Sequence, residues 1–198
     1  YVREFKGFAG VRIEADDIGS ADEPSIVLLH GFGQTRKVWE DVAVGLEQAG
    51  RHVINVDLRG HGASSGKLGC ITVSELIADT VRVLERTGPA IVVGSSLGGL
   101  LGAHVAAARP DLVQRLALLA PAFGLMPQIR KRVDANGCLM TGEGVPFYVE
   151  PNVLDDAERL DERSLPGRII TPTLLVHGTS DDVIPQIVSE MFFAAMTN

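Results

Sequence analysis

The sequence predicts an α/β fold: a doubly wound, mostly parallel sheet with helices on both faces. From about position 25 onward, short apolar runs alternate with stretches typical of helices. The runs are apolar throughout rather than alternating, which is typical of parallel strands buried on both faces. At 198 residues, with 45% hydrophobic and 22% charged residues, the chain has the size and composition of one globular domain.

The first elements follow from local pattern. Residues 2–17 alternate partly between apolar and polar, which predicts a pair of short antiparallel strands. Residues 25–29 form a continuous apolar run and predict a buried strand. Residues 38–49 predict a helix that Gly50 ends, and residues 52–58 predict the next strand.

The middle of the chain carries stronger boundary signals. Residues 72–75, Thr-Val-Ser-Glu, fit a capping box that begins a helix with an apolar stripe. Residues 90–93 predict a buried strand rich in β-branched side chains. The Ala- and Leu-rich residues 100–109 predict a helix that Pro110 stops.

The last third is less regular. Residues 116–119 and 173–176 predict two further strands, and residues 185–196 predict a helix. Between them, residues 124–171 hold several glycines and prolines and no clear periodicity. This segment predicts a surface insertion or small lid over one end of the sheet, too short for a domain of its own.

Composition excludes several classes of function. A net charge of −7 argues against nucleic acid as the main partner, and no apolar run approaches 18 residues, so no membrane span is predicted. Two cysteines, Cys70 and Cys138, do not make a disulfide framework, and we expect reduced, partly buried thiols. The sequence predicts no metal or organic cofactor. We expect a cytoplasmic protein and leave its oligomeric state open.

One five-residue motif points to chemistry. Residues 94–98, Gly-Ser-Ser-Leu-Gly, fit the pattern G-x-S-x-G between a predicted strand and a predicted helix. The pattern selects Ser96 because only this serine has glycines two positions away on each side, Gly94 and Gly98. A serine on such a turn points its hydroxyl into open space. The alternative is a glycine-rich turn with an idle serine.

Two other segments also follow predicted parallel strands directly: residues 30–33, His-Gly-Phe-Gly, and the turn that contains Asp181. The carboxyl ends of parallel strands share one edge of a sheet, so we expect these segments to meet near Ser96. Acyl transfer by a serine needs a base, a carboxylate to orient it, and N–H donors for the oxyanion, each worth about 2.7–4 kcal/mol. The amides of Phe32 and Leu97 can supply those donors.

The chain resembles the α/β-hydrolases in four segments that occur in the family's order: residues 30–33, 57–64, 94–98 and 178–185. The resemblance implies Ser96 as nucleophile, Asp181 as the acid of the triad, and the Phe32 and Leu97 amides as the oxyanion hole. Supporting motif positions are His30, Gly31, Gly94 and Gly98. Residues 57–64 resemble a structural loop, to which we assign no catalytic role.

The resemblance leaves two points open. Asp182 is an alternative to Asp181, although the spacing Gly, two residues, Asp favours Asp181. In the family order a histidine follows the acid, and none of the five histidines does so here. We therefore expect the natural chain to continue past Asn198 with one more strand and helix that carry the base. The alternative is a complete chain that has lost its base.

The sequence thus predicts a serine hydrolase that acts on an ester or related acyl bond of a small-molecule substrate. A non-catalytic binding or interaction protein on the same scaffold is the alternative, since no triad histidine is present. Candidates for lining an apolar pocket are Phe32, Trp39, Phe123, Met126, Phe147 and Tyr148, although large apolar residues belong more often to the core than to a pocket.

Overall fold

The computed structural model describes residues 1–20, 24–141 and 144–197. Its main sheet has seven strands in the order β1-β2-β4-β3-β5-β6-β9. Strands β3, β4, β5, β6 and β9 run parallel, and β1 and β2 add an antiparallel pair at one edge. The strand bounds are β1 Val2–Lys6, β2 Arg12–Ile18, β3 Ile26–Leu29, β4 Val53–Val56, β5 Ala90–Ser95, β6 Val113–Leu119 and β9 Thr173–Val176.

Helices cover both faces of this sheet. Their bounds are α1 Glu40–Gln48, α2 Val73–Thr87, α3 Leu97–Ala108, α4 Pro151–Arg159, α5 Leu165–Arg168 and α6 Gln186–Ala194. The capping box is present: the Thr72 side chain accepts from the Glu75 amide, and the Glu75 carboxylate accepts from the Thr72 amide. These observations confirm the predicted mostly parallel α/β architecture, and the antiparallel pair near the amino terminus is confirmed as well.

The two faces of the sheet have separate apolar cores. One core packs α2 and α3 against the central strands, and Leu100, Leu101 and Leu118 are fully buried in it. The other core places Trp39 and Ala43 against β3 and β4. Helix α3 is buried over most of its surface, because it lies between β5 on one side and α2 and α5 on others.

Residues 124–171 contain more regular structure than the sequence predicts. A 3-10 helix at Met126–Arg132 precedes a two-stranded hairpin, formed by β7 Cys138–Met140 and β8 Pro146–Tyr148, and then α4 and α5. Such short elements show little periodicity, since a three-residue strand or a four-residue helix leaves no repeat to read. Cys138 is half-buried in this segment, whereas Cys70 is exposed, contrary to the partly buried position expected for it.

Strand β9 lies at the edge of the sheet formed by the described residues. Leu174 is 62% exposed and Val176 is 50% exposed, whereas β3 and β4 are buried along their whole length. Ile187 and Met191 of α6 are also exposed. The sheet therefore presents apolar side chains at this edge.

Candidate active site

Ser96 occupies a strained turn between β5 and α3. Its backbone has φ 51° and ψ −114°, a conformation that non-glycine residues rarely adopt and that costs about 1–3 kcal/mol. The surrounding chain holds it there: the Ser96 amide donates to the Leu119 carbonyl at 3.0 Å, and the Ser96 carbonyl accepts from the Ala122 amide at 3.0 Å. The side chain is partly exposed at the carboxyl edge of the sheet. The structure thus presents Ser96 at the tip of a tight strand-to-helix turn.

The two motif glycines allow this turn to pack. A Cβ atom on Gly98 would collide with the Leu29 carbonyl of β3, and one on Gly94 would collide with the Gly98 carbonyl. Backbone cannot move aside as a flexible side chain can. Both positions therefore need glycine so that α3 can begin directly over the strands.

We expect Gly98→Ala to lower the free energy of unfolding by about 3 kcal/mol or more, because the added methyl group overpacks rigid backbone. Gly45→Ala is the matched control, since Gly45 lies inside α1 and a Cβ there meets no atom within 4 Å. That control should be stabilising by up to about 1 kcal/mol. Chemical denaturation measures both, and equal stabilities of the two variants would contradict this account of the turn.

The turn at residues 31–33 lies beside Ser96. A Cβ built on Gly31 comes within 3.3 Å of the Ser96 Cβ atom, so the two segments are in direct contact. Neither the Phe32 amide nor the Leu97 amide donates to any acceptor in the described chain. Two unpaired N–H groups thus flank the serine, as an oxyanion hole requires.

Side chains hold the other polar groups of this turn. Gln34 Oε1 accepts from the Gly31 amide at 2.9 Å, and His61 Nε2 accepts from the Gly33 amide at 3.0 Å. The His30 ring lies with Nδ1 at 2.8 Å from the Gly31 carbonyl, to which it donates. The turn is therefore fixed from both sides of Phe32.

The contacts of the His30 ring favour its neutral form. Its Nδ1–H donates to Gly31, its Nε2 accepts from the Leu58 amide at 3.0 Å, and the ring is fully buried. Burial lowers the pKa of His30 from 6.5 to about 4. Protonation of His30 Nε2 would place its N–H against the N–H of the Leu58 amide, so the folded state disfavours the protonated ring.

This gives a prediction for stability against pH. The unfolded chain binds a proton on His30 near pH 6.5 and the folded chain only near pH 4, so stability is lost as the pH falls through that window. At about 1.4 kcal/mol per pKa unit, His30 accounts for about 3 kcal/mol. Burial also lowers the pKa of His104 to about 4, with the same sign. Chemical denaturation between pH 4 and 7 should show the loss, and His104→Gln should reduce its slope. A flat profile contradicts the prediction.

Asp181 lies in the turn after β9, with one carboxylate oxygen held by backbone. Its Oδ1 accepts from the Ile184 amide at 2.8 Å and from the Val183 amide at 2.9 Å. These hydrogen bonds, that from Ile184 first, lower the pKa of Asp181 below its usual 3.8. His177 Nε2 lies 3.4 Å from the other oxygen, Oδ2. Asp182 is exposed, and its carboxylate makes no hydrogen bond to the described chain.

All five histidines are described, and none is placed as a base for Ser96. His30 and His61 use both ring nitrogens on neighbouring backbone, and His177 binds Ser189 and the Ile184 carbonyl. His104 lies on α3 outside the cavity that Ser96 lines. The contacts of His30 and His177 join neighbouring segments of the chain, so both act as structural residues.

His52 belongs to a second arrangement of serine, histidine and aspartate, at the opposite edge of the sheet. Its Nδ1 lies 2.8 Å from Ser25 Oγ, and its Nε2 lies 2.8 Å from Asp17 Oδ1. Asp17 also accepts from Arg3 and from the Tyr1 hydroxyl. All three members are at least 95% buried and none lines a cavity, so this network ties strands together rather than meeting a substrate.

A cavity of about 410 Å³ opens beside Ser96. Its walls are mainly apolar and come both from the sheet edge and from residues 124–171, including Leu76, Met126, Leu139, Phe147, Val153 and Leu154. Phe32 and Leu97 also line it, and so does Val183, two positions after Asp181. The Phe32 and Phe147 rings lie 5.4 Å apart at its mouth.

Half of the predicted pocket residues line this cavity. Phe32, Met126 and Phe147 do, whereas Trp39 and Phe123 lie in the apolar cores. Tyr148 is 56% exposed and does not line the cavity. Neighbouring residues of a short strand such as β8 point to opposite sides, which explains why Phe147 lines the cavity and Tyr148 does not.

Sequence reasoning missed Gln34 and His61. Gln34 follows the His-Gly-Phe-Gly motif directly and could have been noticed there. His61 comes from the loop of residues 57–64, which lies against the turn at residues 31–33. Only the folded chain brings these two loops together.

Within residues 1–20, 24–141 and 144–197, no group of three or more histidine, cysteine, aspartate or glutamate side chains is arranged to hold a metal ion. Among the same residues, no helix is long and apolar enough to cross a bilayer.

Two known proteins to which the chain is similar are named as a thioesterase and an esterase. Palmitoyl-protein thioesterase ABHD10, mitochondrial, from Mus musculus is 31% identical over 179 residues, which cover 82% of this chain and 60% of that protein. Esterase Rv0045c from Mycobacterium tuberculosis is 43% identical over 105 residues, 51% of this chain and 33% of that protein. The chain thus spans 33% to 60% of the length of these relatives. The name of the first places that protein in mitochondria, so a cytoplasmic location here stays a prediction.

Solved structures agree. Alpha/beta hydrolase domain-containing protein 10 from mouse superposes with a TM-score of 0.84 at 26% identity, covering 100% of this chain and 85% of that chain. Residues 24–136 match a family model described as the alpha/beta hydrolase fold. With the strand order, the strained serine turn and these matches together, the chain belongs to the α/β-hydrolase family.

Proposed function

We propose that the protein is a serine hydrolase that cleaves an ester or related acyl bond through an acyl-enzyme on Ser96. The observation that carries the proposal is local: a strained, partly exposed serine lies beside the turn at residues 31–33, and the amides of Phe32 and Leu97 have no acceptor among the described residues. An apolar cavity opens at the same point. Relatives named as an esterase and a thioesterase support the same class of reaction.

In this mechanism Ser96 Oγ attacks the carbonyl carbon of the substrate while a histidine base takes the hydroxyl proton. The Phe32 and Leu97 amides donate to the oxyanion of the tetrahedral intermediate. The intermediate collapses, and the histidine returns the proton to the leaving alcohol or thiol. Water, activated by the same base, then hydrolyses the acyl-enzyme and regenerates Ser96.

Asp181 is the residue that orients the base in this proposal. Because two backbone amides occupy Oδ1, the carboxylate is fixed; Oδ2, which accepts from no backbone amide and lies 3.4 Å from His177 Nε2, is the oxygen assigned to the imidazole N–H of the base. The lowered pKa of Asp181 keeps the group ionised at neutral pH. All five histidines of this sequence are engaged elsewhere or lie outside the cavity, so the base in this proposal is a histidine outside these 198 residues.

The cavity suggests an apolar acyl group. Its lining is dominated by aliphatic and aromatic side chains, and 410 Å³ lies in the range of small-molecule sites. Palmitoyl, the group in the name of the mouse thioesterase, is an apolar acyl chain as well. We propose that the acyl chain lies between Ser96 and residues 124–171.

A substitution in the cavity tests this placement. We expect Val153→Phe to fill part of the cavity and shift preference toward shorter acyl chains. Each methylene that loses apolar contact costs about 0.8 kcal/mol, or about fourfold in kcat/KM. The measurement is kcat/KM for a series of p-nitrophenyl esters of increasing chain length. Val44→Phe on the exposed side of α1 is the control, and an identical chain-length profile for both variants contradicts the placement.

The experiment for the proposed function uses the full-length protein and a panel of esters, thioesters and lactones. Turnover that depends on Ser96 supports the proposal, and the substrates that are cleaved identify the type of bond. A folded full-length protein that turns over none of them favours the alternative, a non-catalytic binding protein on this scaffold. The placement of the five histidines, each engaged by other groups or outside the cavity, is the observation that keeps that alternative in view.

A further inference from the structure

The loop of residues 57–64 does more than connect β4 to α2, because His61 reaches from it to the turn beside Ser96. His61 Nε2 lies 3.0 Å from the Gly33 nitrogen and accepts its N–H. The ring is 6% exposed and contacts the Phe32 ring edge-on, with centroids 5.8 Å apart. The loop thus meets the turn through one hydrogen bond and one ring contact.

The tautomer of His61 follows from its second contact. Its Nδ1 lies 2.9 Å from the Arg59 carbonyl, which can only accept, so the ring proton is on Nδ1. The lone pair of Nε2 is therefore free for the Gly33 amide. Burial lowers the pKa of His61 and favours this neutral form.

The amides on either side of Phe32 donate hydrogen bonds, whereas the Phe32 amide has no acceptor among the described residues. The Gly31 amide is taken by Gln34 and the Gly33 amide by His61, while the Phe32 amide between them has no acceptor. Gly33 has φ +73°, and a Cβ there would meet nothing within 4 Å, so the turn is open at this position. The hydrogen bond that the Gly33 amide donates to His61 holds this side of the turn.

We propose that His61 is a positioning residue, which holds the turn at residues 31–33 so that the Phe32 amide points at the oxyanion formed on Ser96. The inference rests on the proposed function, since it assigns His61 to the oxyanion hole of that mechanism. An oxyanion-hole donor is worth about 2.7–4 kcal/mol, or about 10²–10³ in kcat. Partial misalignment of the Phe32 amide would lose part of this contribution to kcat.

Two substitutions separate the acceptor from the bulk of the ring. In His61→Gln the amide oxygen comes near the position of Nε2 and can accept from Gly33. In His61→Asn the shorter side chain can still reach the Arg59 carbonyl but not Gly33. We expect His61→Asn in the full-length protein to lower kcat at least tenfold with KM changed less than threefold, and His61→Gln to recover most of the loss.

Affinity for a boronic acid that forms a tetrahedral adduct with Ser96 should follow kcat across the series, because the adduct uses the oxyanion hole. His104→Gln is the control: it also replaces a buried imidazole, but outside the cavity. It should leave both quantities near the wild-type values. Equal losses in His61→Gln and His61→Asn would overturn the assignment, and so would wild-type kcat in His61→Asn.

Hydrogen exchange does not depend on catalysis, so it distinguishes a failure of the proposed function from a failure of the inference about His61. Amide hydrogen exchange of a peptide spanning residues 31–36 should be faster in His61→Asn and unchanged in His61→Gln and His104→Gln. If the wild-type protein hydrolyses nothing, the proposed function fails, and exchange alone then decides whether His61 fixes the turn. If the wild-type protein is active and exchange is the same in all variants, the inference about His61 fails alone.

Discussion

Replacing Ser96 by alanine in the full-length protein is expected to abolish hydrolysis. Removal of the nucleophile of a serine protease costs about 10⁶-fold in kcat, and the remainder comes from the oxyanion hole and substrate binding. We expect a loss of at least about 10³-fold here, since in the proposed mechanism Ser96 supplies the attacking oxygen. The methyl side chain should fit the turn, so circular dichroism and the denaturation midpoint should change little.

Ser95→Ala is the matched control for this experiment. Ser95 is adjacent, lines the same cavity and ends β5, but its backbone lies in the strand rather than in the strained turn. We expect its kcat/KM to remain within about threefold of wild type. Residual activity of Ser96→Ala equal to that of Ser95→Ala would show that Ser96 is not the nucleophile.

The second large effect is expected at Asp181. In the protease triad, aspartate to asparagine costs about 10⁴-fold in kcat, because the amide stabilises the wrong tautomer of the histidine. We expect Asp181→Asn to lower kcat by a similar order while KM changes little. Asparagine keeps one oxygen for the Val183 and Ile184 amides, so the turn should remain folded.

Asp182→Asn tests the alternative acid directly. Asp182 is exposed, and its carboxylate has no hydrogen bond within the described chain, so its substitution should leave kcat and the pH profile unchanged. Steady-state kinetics of both variants on one ester substrate are sufficient. A larger loss in Asp182→Asn than in Asp181→Asn would transfer the role to Asp182.

Much of the fold could be predicted from sequence because its signals are local. The capping box at Thr72 and Glu75 lies within four residues, and continuous apolar runs mark β3 and β5 as strands of the sheet. The glycines at 94 and 98 likewise mark a turn whose need for glycine the structure explains by backbone contacts. Each of these sequence signals lies within a few consecutive positions of the chain.

The features that sequence reasoning missed depend on distant contacts. His61 and Gly33 are 28 positions apart, and nothing near either residue predicts their hydrogen bond. The hairpin of β7 and β8 has strands of three residues, too short for alternation to be read. The pairing of Phe32 with Phe147 across the cavity mouth spans more than a hundred residues. Such contacts are set by the folded sheet and loops rather than by local pattern.

The roles of Phe32, Leu97 and Asp181 all depend on Ser96 being the nucleophile. The most direct measurement is labelling of the folded, full-length protein with a fluorophosphonate, followed by mass spectrometry of the labelled peptide. The account predicts one adduct per chain on Ser96, absent in Ser96→Ala and retained in Ser95→Ala. An unlabelled folded protein, or an adduct on another residue, would contradict it.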